Sequence, residues 1–159
     1  MSVTWEQVSA RQGRNDLPYH LGMAVLVEEV ITDETEIAKG IADAWVMAEW
    51  PIRGMEPSMW RMLFDKVGFL DDGVMDTNPP DSIVVYRGCV VGQERGMSWT
   101  DDLEKAIWFA ERFGVTFGET KVYTMTATPA SILGHFTRRG ESEWVLDPEQ
   151  ILEDDIQEL

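Results

Sequence analysis

An arginine at the end of a β-branched segment is the first group in this chain whose type and position could bind a ligand. Residues 82–87 read Ser-Ile-Val-Val-Tyr-Arg, and Gly88 follows Arg87. A guanidinium offers a planar set of donors to a phosphate or to neighbouring main-chain carbonyls, and a glycine permits close approach of a ligand. Taken alone, this segment is better explained by an exposed arginine at a strand end.

Two hydroxyl side chains, those of Ser98 and Thr100, stand two residues apart just before a predicted helix. In an extended backbone, residues at this spacing point to the same side. A helix cap explains Thr100, whereas Ser98 has no comparable local role, so Ser98 is the stronger candidate for holding a ligand. Without further motifs, both are ordinary hydroxyls at a strand end.

Two glutamates, Glu141 and Glu143, begin a later apolar segment, and residues 140–146 read Gly-Glu-Ser-Glu-Trp-Val-Leu. Carboxylates at positions i and i+2 of a strand project to one face. Their like charges repel, and together they form a site rich in hydrogen-bond acceptors. Residues 136–140 read as a loop that could present the two carboxylates to a substrate. In an acidic chain, a solvated strand edge is the simpler explanation of the pair alone.

The elements that must position these groups are short strands and one helix. Alternating and β-branched residues predict strands over residues 82–87, 121–127 and 144–146. An apolar stripe predicts a helix over residues 101–113, which Gly114 would end. Thr100 or Asp101 would cap this helix, and Glu104 would complete a capping box.

The first half of the chain is predicted to be helical. Apolar content predicts a short helix over residues 20–30. Apolar residues on one face predict two further helices, over residues 33–50 and from near Pro57 to Gly68. Asp33 with Glu36 resembles a capping box at the start of the second of these helices.

A segment rich in Asp, Gly, Asn and Pro, residues 71–80, is the best candidate for a boundary. We therefore expect an α+β protein with an N-terminal helical portion over residues 1–80. This portion would pack on a strand-rich core over residues 81–159, and the two would form a single domain.

The acidic composition restricts the kinds of molecule that the chain can bind. The 29 Asp and Glu residues outnumber the 13 Lys and Arg residues and give a net charge of −16, which repels phosphate backbones and anionic membranes. We expect no nucleic-acid or membrane partner, although an acidic chain could instead bind a basic protein. Cys89 is the single cysteine and the two histidines show no ligand spacing, so we expect a reducing, cytoplasmic setting in the producing or host cell and no metal.

The three motifs occur in a fixed order: Arg87-Gly88, then Ser98-Trp-Thr100, then Glu141-Ser-Glu143. This ordered set resembles the Arg-Ser-Glu class of mono-ADP-ribosyltransferases, which includes clostridial exoenzymes, actin-modifying binary toxins and several phage enzymes. The resemblance covers about residues 82–148. The family pattern reads Ser-Thr-Ser where this chain has a tryptophan at its centre, and this departure leaves open whether Trp99 packs in the core or lines a pocket.

The resemblance implies a fold and a set of residues that hold NAD⁺. The family fold has two small, mostly antiparallel sheets around an NAD⁺ cleft, here with N-terminal helices on one side. Arg87 would support the phosphates and ribose, and the main chain of Gly88 would clamp the nicotinamide amide. Ser98, with Thr100 of the same motif, would hold NAD⁺ and orient the catalytic carboxylate. The family's mobile loop over the phosphates would correspond to residues 114–120.

The resemblance also implies a reaction. Glu143 would be the catalytic carboxylate and Glu141 would meet the acceptor, with arginine favoured and residues 136–140 reading the substrate. NAD⁺ would be the co-substrate, without a metal, and a protein side chain would be the acceptor, as in a phage or mobile-element effector. The alternatives are NAD⁺ hydrolysis, a non-enzymatic acidic inhibitor of a basic partner, and a structural module whose glutamates form a polar strand edge.

Overall fold

The computed structural model describes residues 2–159, and these residues have an α+β architecture, as the sequence predicts. The chain divides into two compact units, one ending at Thr77 and the other spanning Asn78–Leu159. The division falls inside the segment 71–80, which is rich in turn-forming residues.

The first unit is built from helices. They are α1 (Trp5–Ser9), α2 (Leu17–Gly22), α3 (Glu34–Met47), α4 (Pro51–Gly54) and α5 (Pro57–Val67), with a 3₁₀ turn at Arg14–Asp16, a π-helical turn at Met23–Val27 and a short strand β1 (Leu70–Asp71). The predicted helix over residues 20–30 is thus the end of α2 together with the π-helical turn.

Local signals set the ends of the longer helices. The side chain of Asp33 accepts from Thr35 N and Glu36 N and caps α3. The predicted capping box is wrong in its second half, because the Glu36 carboxylate accepts from Trp5 N at 2.9 Å instead. Pro57 occupies the first turn of α5, and Gly68 ends that helix with a φ of 75°, as predicted.

Apolar packing forms the core of the first unit. The rings of Trp45 and Trp60 meet edge to face with centroids 5.0 Å apart. Gly40 lets α3 approach α2, because a Cβ at this position would lie 2.5 Å from Leu21 Cδ1. The fully buried side chains of this unit include Leu21, Ile31, Ile41, Trp60, Leu63 and Phe64.

The second unit contains a sheet and one long helix. The strands are β2 (Ile83–Val90), β3 (Ser98–Thr100), β4 (Thr120–Ala127), β5 (Ile132–Phe136), β6 (Glu143–Leu146) and β7 (Gln157–Glu158), and the helix is α6 (Leu103–Phe117). The strand order is β5-β6-β3-β2-β4-β7, and each of these neighbours pairs antiparallel.

The prediction of two separate sheets is wrong, because β3 joins the strands into one. On one side β3 pairs with β6 from Ser98 opposite Val145 to Thr100 opposite Glu143. On the other side Thr100 lies opposite Tyr86 of β2. The strand that carries the hydroxyl motif therefore lies between the strand of the arginine and the strand of the second glutamate.

Helix α6 starts and ends later than predicted. Its cap is Asp102, whose side chain accepts from Glu104 N and Lys105 N, rather than Thr100 or Asp101. It continues through Gly114 and ends at Gly118, which has a φ of 106°. The expectation of a mobile loop over residues 114–120 is therefore wrong for most of that segment.

Strand β2 also continues beyond its predicted end at Gly88. Gly88 lies opposite Val122 of β4, and a Cβ at Gly88 would lie 1.9 Å from Ala106 O of α6. The glycine therefore permits the helix to pack directly on the sheet. Among residues 2–159, no helix has the length and hydropathy needed to cross a bilayer.

Candidate functional site

Arg87 fastens the loop before β3 to strand β2. Its Nε donates to Gln93 O at 3.0 Å and one terminal nitrogen donates to Ser98 O at 2.9 Å. A Cβ at Gly96 would lie 2.2 Å from the other terminal nitrogen, so the loop wraps closely around the guanidinium. Of the two roles that the sequence allows for Arg87, the structure shows the binding of main-chain carbonyls.

Ser98 and Glu143 form a direct hydrogen bond. The Ser98 hydroxyl donates to Glu143 Oε2 at 2.5 Å, across the pairing of β3 with β6. A hydroxyl bound to a carboxylate makes a short, charge-assisted bond. Both residues are half-buried, so this carboxylate is oriented by the protein and not by solvent alone.

Charge links Arg87 to the same carboxylate. Burial lowers the pKa of Arg87, and interactions with Cys89, Glu143 and Glu94 oppose that shift. The guanidinium remains protonated at neutral pH, because an arginine keeps its charge in proteins. Arg87, Ser98 and Glu143, which are far apart in the sequence, therefore form one cluster on the second unit.

Glu141 lies against helix α6. Its Oε1 is 3.4 Å from Lys105 Nζ, and that ammonium also lies 4.4 Å from the centroid of the Trp108 ring. Both partners of the ion pair are about one-third exposed, at 31% for the lysine and 35% for the glutamate. Glu141 thus already holds a cation from its own chain.

The remaining predicted site residues have local contacts. The Thr100 hydroxyl accepts from Asp102 N at 3.1 Å, next to the start of α6. Trp99 is 1% exposed and its indole donates to Gly96 O, so it packs in the core. Gly88, described above, packs against α6. These contacts explain the presence of the three residues without a ligand.

The predicted substrate-reading segment, residues 136–140, is an exposed turn between β5 and β6 except at Phe136, where the prediction is wrong because this residue ends β5 and is 1% exposed. A 3₁₀ turn at Arg138–Gly140 carries the chain between these strands, and Arg139 and Gly140 have φ values of 66° and 68°. Thr137, Arg138 and Arg139 are exposed. The turn therefore presents cationic side chains directly before Glu141.

A second hydrogen-bond network lies beside the glutamates, and motif reasoning does not find it. Ser142 Oγ donates to Asp101 Oδ2 at 2.7 Å, and Trp144 Nε1 donates to the same oxygen at 3.0 Å. His135 Nε2 lies 3.0 Å from Ser142 Oγ, and its ring stacks on Trp144 with centroids 4.0 Å apart. Alternation within residues 141–144 places Ser142 and Trp144 together, but nothing local indicates their partners.

An acidic cavity of about 360 Å³ on the second unit includes Glu94, which interacts with Arg87. It is lined by Glu94, Tyr123, Glu153, Asp154, Ile156 and Glu158. Glu94 Oε2 is buried without a hydrogen-bond partner in the described structure. Four carboxylates disfavour a phosphate, so this cavity does not suit the pyrophosphate of a dinucleotide.

No group of three or more His, Cys, Asp or Glu side chains within residues 2–159 is arranged to hold a metal ion. Comparisons of the chain with protein-family models, with curated proteins and with solved structures found no match.

Proposed function

We propose that this chain is a mono-ADP-ribosyltransferase that cleaves the nicotinamide–ribose bond of NAD⁺ and transfers ADP-ribose to a protein side chain. The observation that carries the proposal is the contact between Ser98 and Glu143, with Arg87 bonded to the main chain of Ser98. These are the residues for which the ordered motifs imply NAD⁺ handling, and the fold places them side by side.

The chemistry that such a cluster performs is stabilisation of a cationic sugar. When the nicotinamide–ribose bond breaks, its electron pair leaves with the nicotinamide nitrogen and positive charge develops at the ribose C1′ atom. A carboxylate that accepts from the ribose 2′-hydroxyl favours this charge more in the transition state than in the bound substrate. Glu143 would supply the carboxylate, and the Ser98 bond would hold it in position before the substrate arrives.

Arg87 would contribute mainly by building the pocket. Two of its donors hold Gln93 O and Ser98 O, so the guanidinium fixes the loop and the strand from which Ser98 reaches Glu143. Its positive charge would also attract the phosphates of NAD⁺, which the many carboxylates of the chain repel. Opposite charges attract strongly where water is excluded.

The acceptor would meet Glu141. In the transfer step, a nucleophilic nitrogen of the acceptor bonds to C1′ and then loses a proton, which balances the departure of nicotinamide. The ion pair with Lys105 shows that Glu141 can hold a cation at this position. An arginine side chain, whose guanidinium binds a carboxylate with two parallel hydrogen bonds, would replace the lysine.

The test is nicotinamide release from NAD⁺ by the purified chain and by Glu143→Gln. We expect turnover by the wild type and a loss of about 10²–10³-fold in Glu143→Gln, because a preorganised group that acts in the transition state is removed. Glu111→Gln is the matched control, since it removes the same charge from an exposed position on α6.

The outcomes separate the candidate functions. Release of nicotinamide with labelling of a protein supports the transferase, whereas release without labelling of any acceptor supports an NAD⁺ hydrolase. If the wild type releases no nicotinamide and binds a basic protein in a salt-sensitive way, the chain is an acidic binding protein. Equal turnover by the wild type and Glu143→Gln contradicts the assignment of the catalytic carboxylate.

A further inference from the structure

Asp101 bonds to the side chains of the two residues that flank Glu143. It directly follows β3 and precedes Asp102, the cap of α6. Its Oδ2 accepts from Ser142 Oγ at 2.7 Å and from Trp144 Nε1 at 3.0 Å. One carboxylate oxygen therefore holds the two residues that flank the proposed catalytic glutamate.

Because the chain is extended here, the contacts of Asp101 with Ser142 and Trp144 also affect the direction of the Glu143 side chain. Side chains of neighbouring residues point to opposite sides, so Ser142 and Trp144 share one side and Glu143 takes the other. Holding both neighbours at one point limits rotation of the main chain between them. Asp101 would then influence the direction of the Glu143 side chain through the two neighbouring residues.

His135 extends the same network. The Ser142 hydroxyl donates its only proton to Asp101. In its contact with His135 the hydroxyl oxygen must therefore accept, and the Nε2–H group of the imidazole donates. The imidazole also stacks on the Trp144 ring at an interplanar angle of 18°. The network therefore joins β5, the start of β6 and the junction of β3 with α6.

We propose that Asp101 is a positioning residue for Glu143, and this inference rests on the proposed function. Residues 98–101 would hold the glutamate from both sides. Ser98 bonds to the Glu143 carboxylate, and Asp101 bonds to the residues before and after it. Residues 98–101 would thus both supply the Ser98 hydroxyl and align the Glu143 carboxylate.

The experiment compares Asp101→Ala and Asp101→Asn with the wild type in nicotinamide release, with kcat and the KM for NAD⁺ measured separately. We expect Asp101→Ala to lower kcat by about tenfold or more and to leave the KM within about twofold, because alignment of Glu143 acts on the transition state. Asp101→Asn should retain most of the rate, since its amide oxygen can accept both hydrogen bonds.

Asp102→Ala is the matched control for a purely structural effect. It removes the helix cap and should lower the melting temperature while the folded enzyme keeps the wild-type kcat. If Asp101→Ala also keeps the wild-type kcat, or if Asp101→Asn loses as much rate as Asp101→Ala, the positioning role is overturned.

A second readout does not depend on turnover. The ¹³C resonance of the Glu143 carboxyl group should shift in Asp101→Ala in the same direction as in Ser98→Ala, because both changes disturb the bond between Ser98 and Glu143. An unchanged resonance in Asp101→Ala overturns the inference. A shifted resonance in a chain that releases no nicotinamide leaves the positioning in place and rejects the proposed function.

Discussion

The two units of the chain both have apolar cores but differ in the polar residues that they bury. The first is held by apolar packing, such as the contact between Trp45 and Trp60. The second buries polar groups among its strands, and the buried polar residues found in the described structure, Thr100, Ser131 and Asp147, all belong to it. Burying a polar group costs free energy unless it is hydrogen-bonded. Local hydrogen bonds hold each of these three side chains. The polar contacts of the second unit that join distant parts of the chain, such as that of Ser98 with Glu143, are instead half-buried.

The largest expected effect on stability lies in the first unit. Trp60 is fully buried, and its indole donates to Pro51 O at 3.1 Å. Trp60→Ala should lower the free energy of unfolding by about 3–5 kcal/mol, because it leaves a cavity that neighbours fill only in part. Ser98→Ala should cost only about 1 kcal/mol. Urea denaturation of both variants checks the comparison, and equal losses would show that burial of Trp60 contributes less to stability than we expect.

Gly96 is a point in the second unit where one added carbon would disturb the contacts of Arg87. Gly96→Ala places a Cβ 2.2 Å from a terminal nitrogen of Arg87, so the guanidinium must leave its two carbonyl partners. We expect a loss of about 1–3 kcal/mol in stability, together with a fall in nicotinamide release.

Gly114→Ala is the control for Gly96→Ala, because Gly114 lies within α6 and its nearest neighbour would be Thr120 Oγ1 at 3.3 Å. Its effect on stability should stay below about 1 kcal/mol. Thermal unfolding and the release assay measure both variants. A Gly96→Ala chain with wild-type turnover would show that the Arg87 contacts do not support the site.

A smaller effect is expected at the acceptor position. Lys105→Gln removes the cation that now pairs with Glu141. The KM for a small guanidine acceptor should fall by about twofold to fivefold, the range that a partly exposed ion pair provides. Lys121→Gln is the control, because that lysine pairs with Glu158 instead. An unchanged KM in Lys105→Gln would indicate that Glu141 does not bind the acceptor.

Local signals predict the longer helices better than the sheet, although they do not predict the short helices α1 and α4. Caps and glycines are read within a few residues, so Asp33 and Gly68 were assigned correctly. Gly114 was assigned wrongly as a helix end, because the Thr120 hydroxyl donates to Ala110 O and fastens the last turns of α6. Strand β5 was missed, since its five residues include Gly134 and His135 and give little strand signal.

Local sequence signals are also insufficient to predict the contacts of the candidate site. Ser98 and Glu143 stand 45 residues apart, and no spacing rule brings them together; only the resemblance predicted that they would act jointly. Asp101 bonds to Ser142 across 41 residues and was predicted only as a possible cap. The register that pairs β3 with β6 creates both contacts, and register depends on how the whole sheet assembles.

The central claim is that Ser98 and Glu143 act as one unit on NAD⁺, and a double-mutant cycle tests it most directly. Nicotinamide release would be measured for the wild type, Ser98→Ala, Glu143→Gln and the variant with both changes. If the serine acts by orienting the carboxylate, the double variant should be no slower than Glu143→Gln alone. A double variant whose loss equals the product of the two single losses would contradict the account.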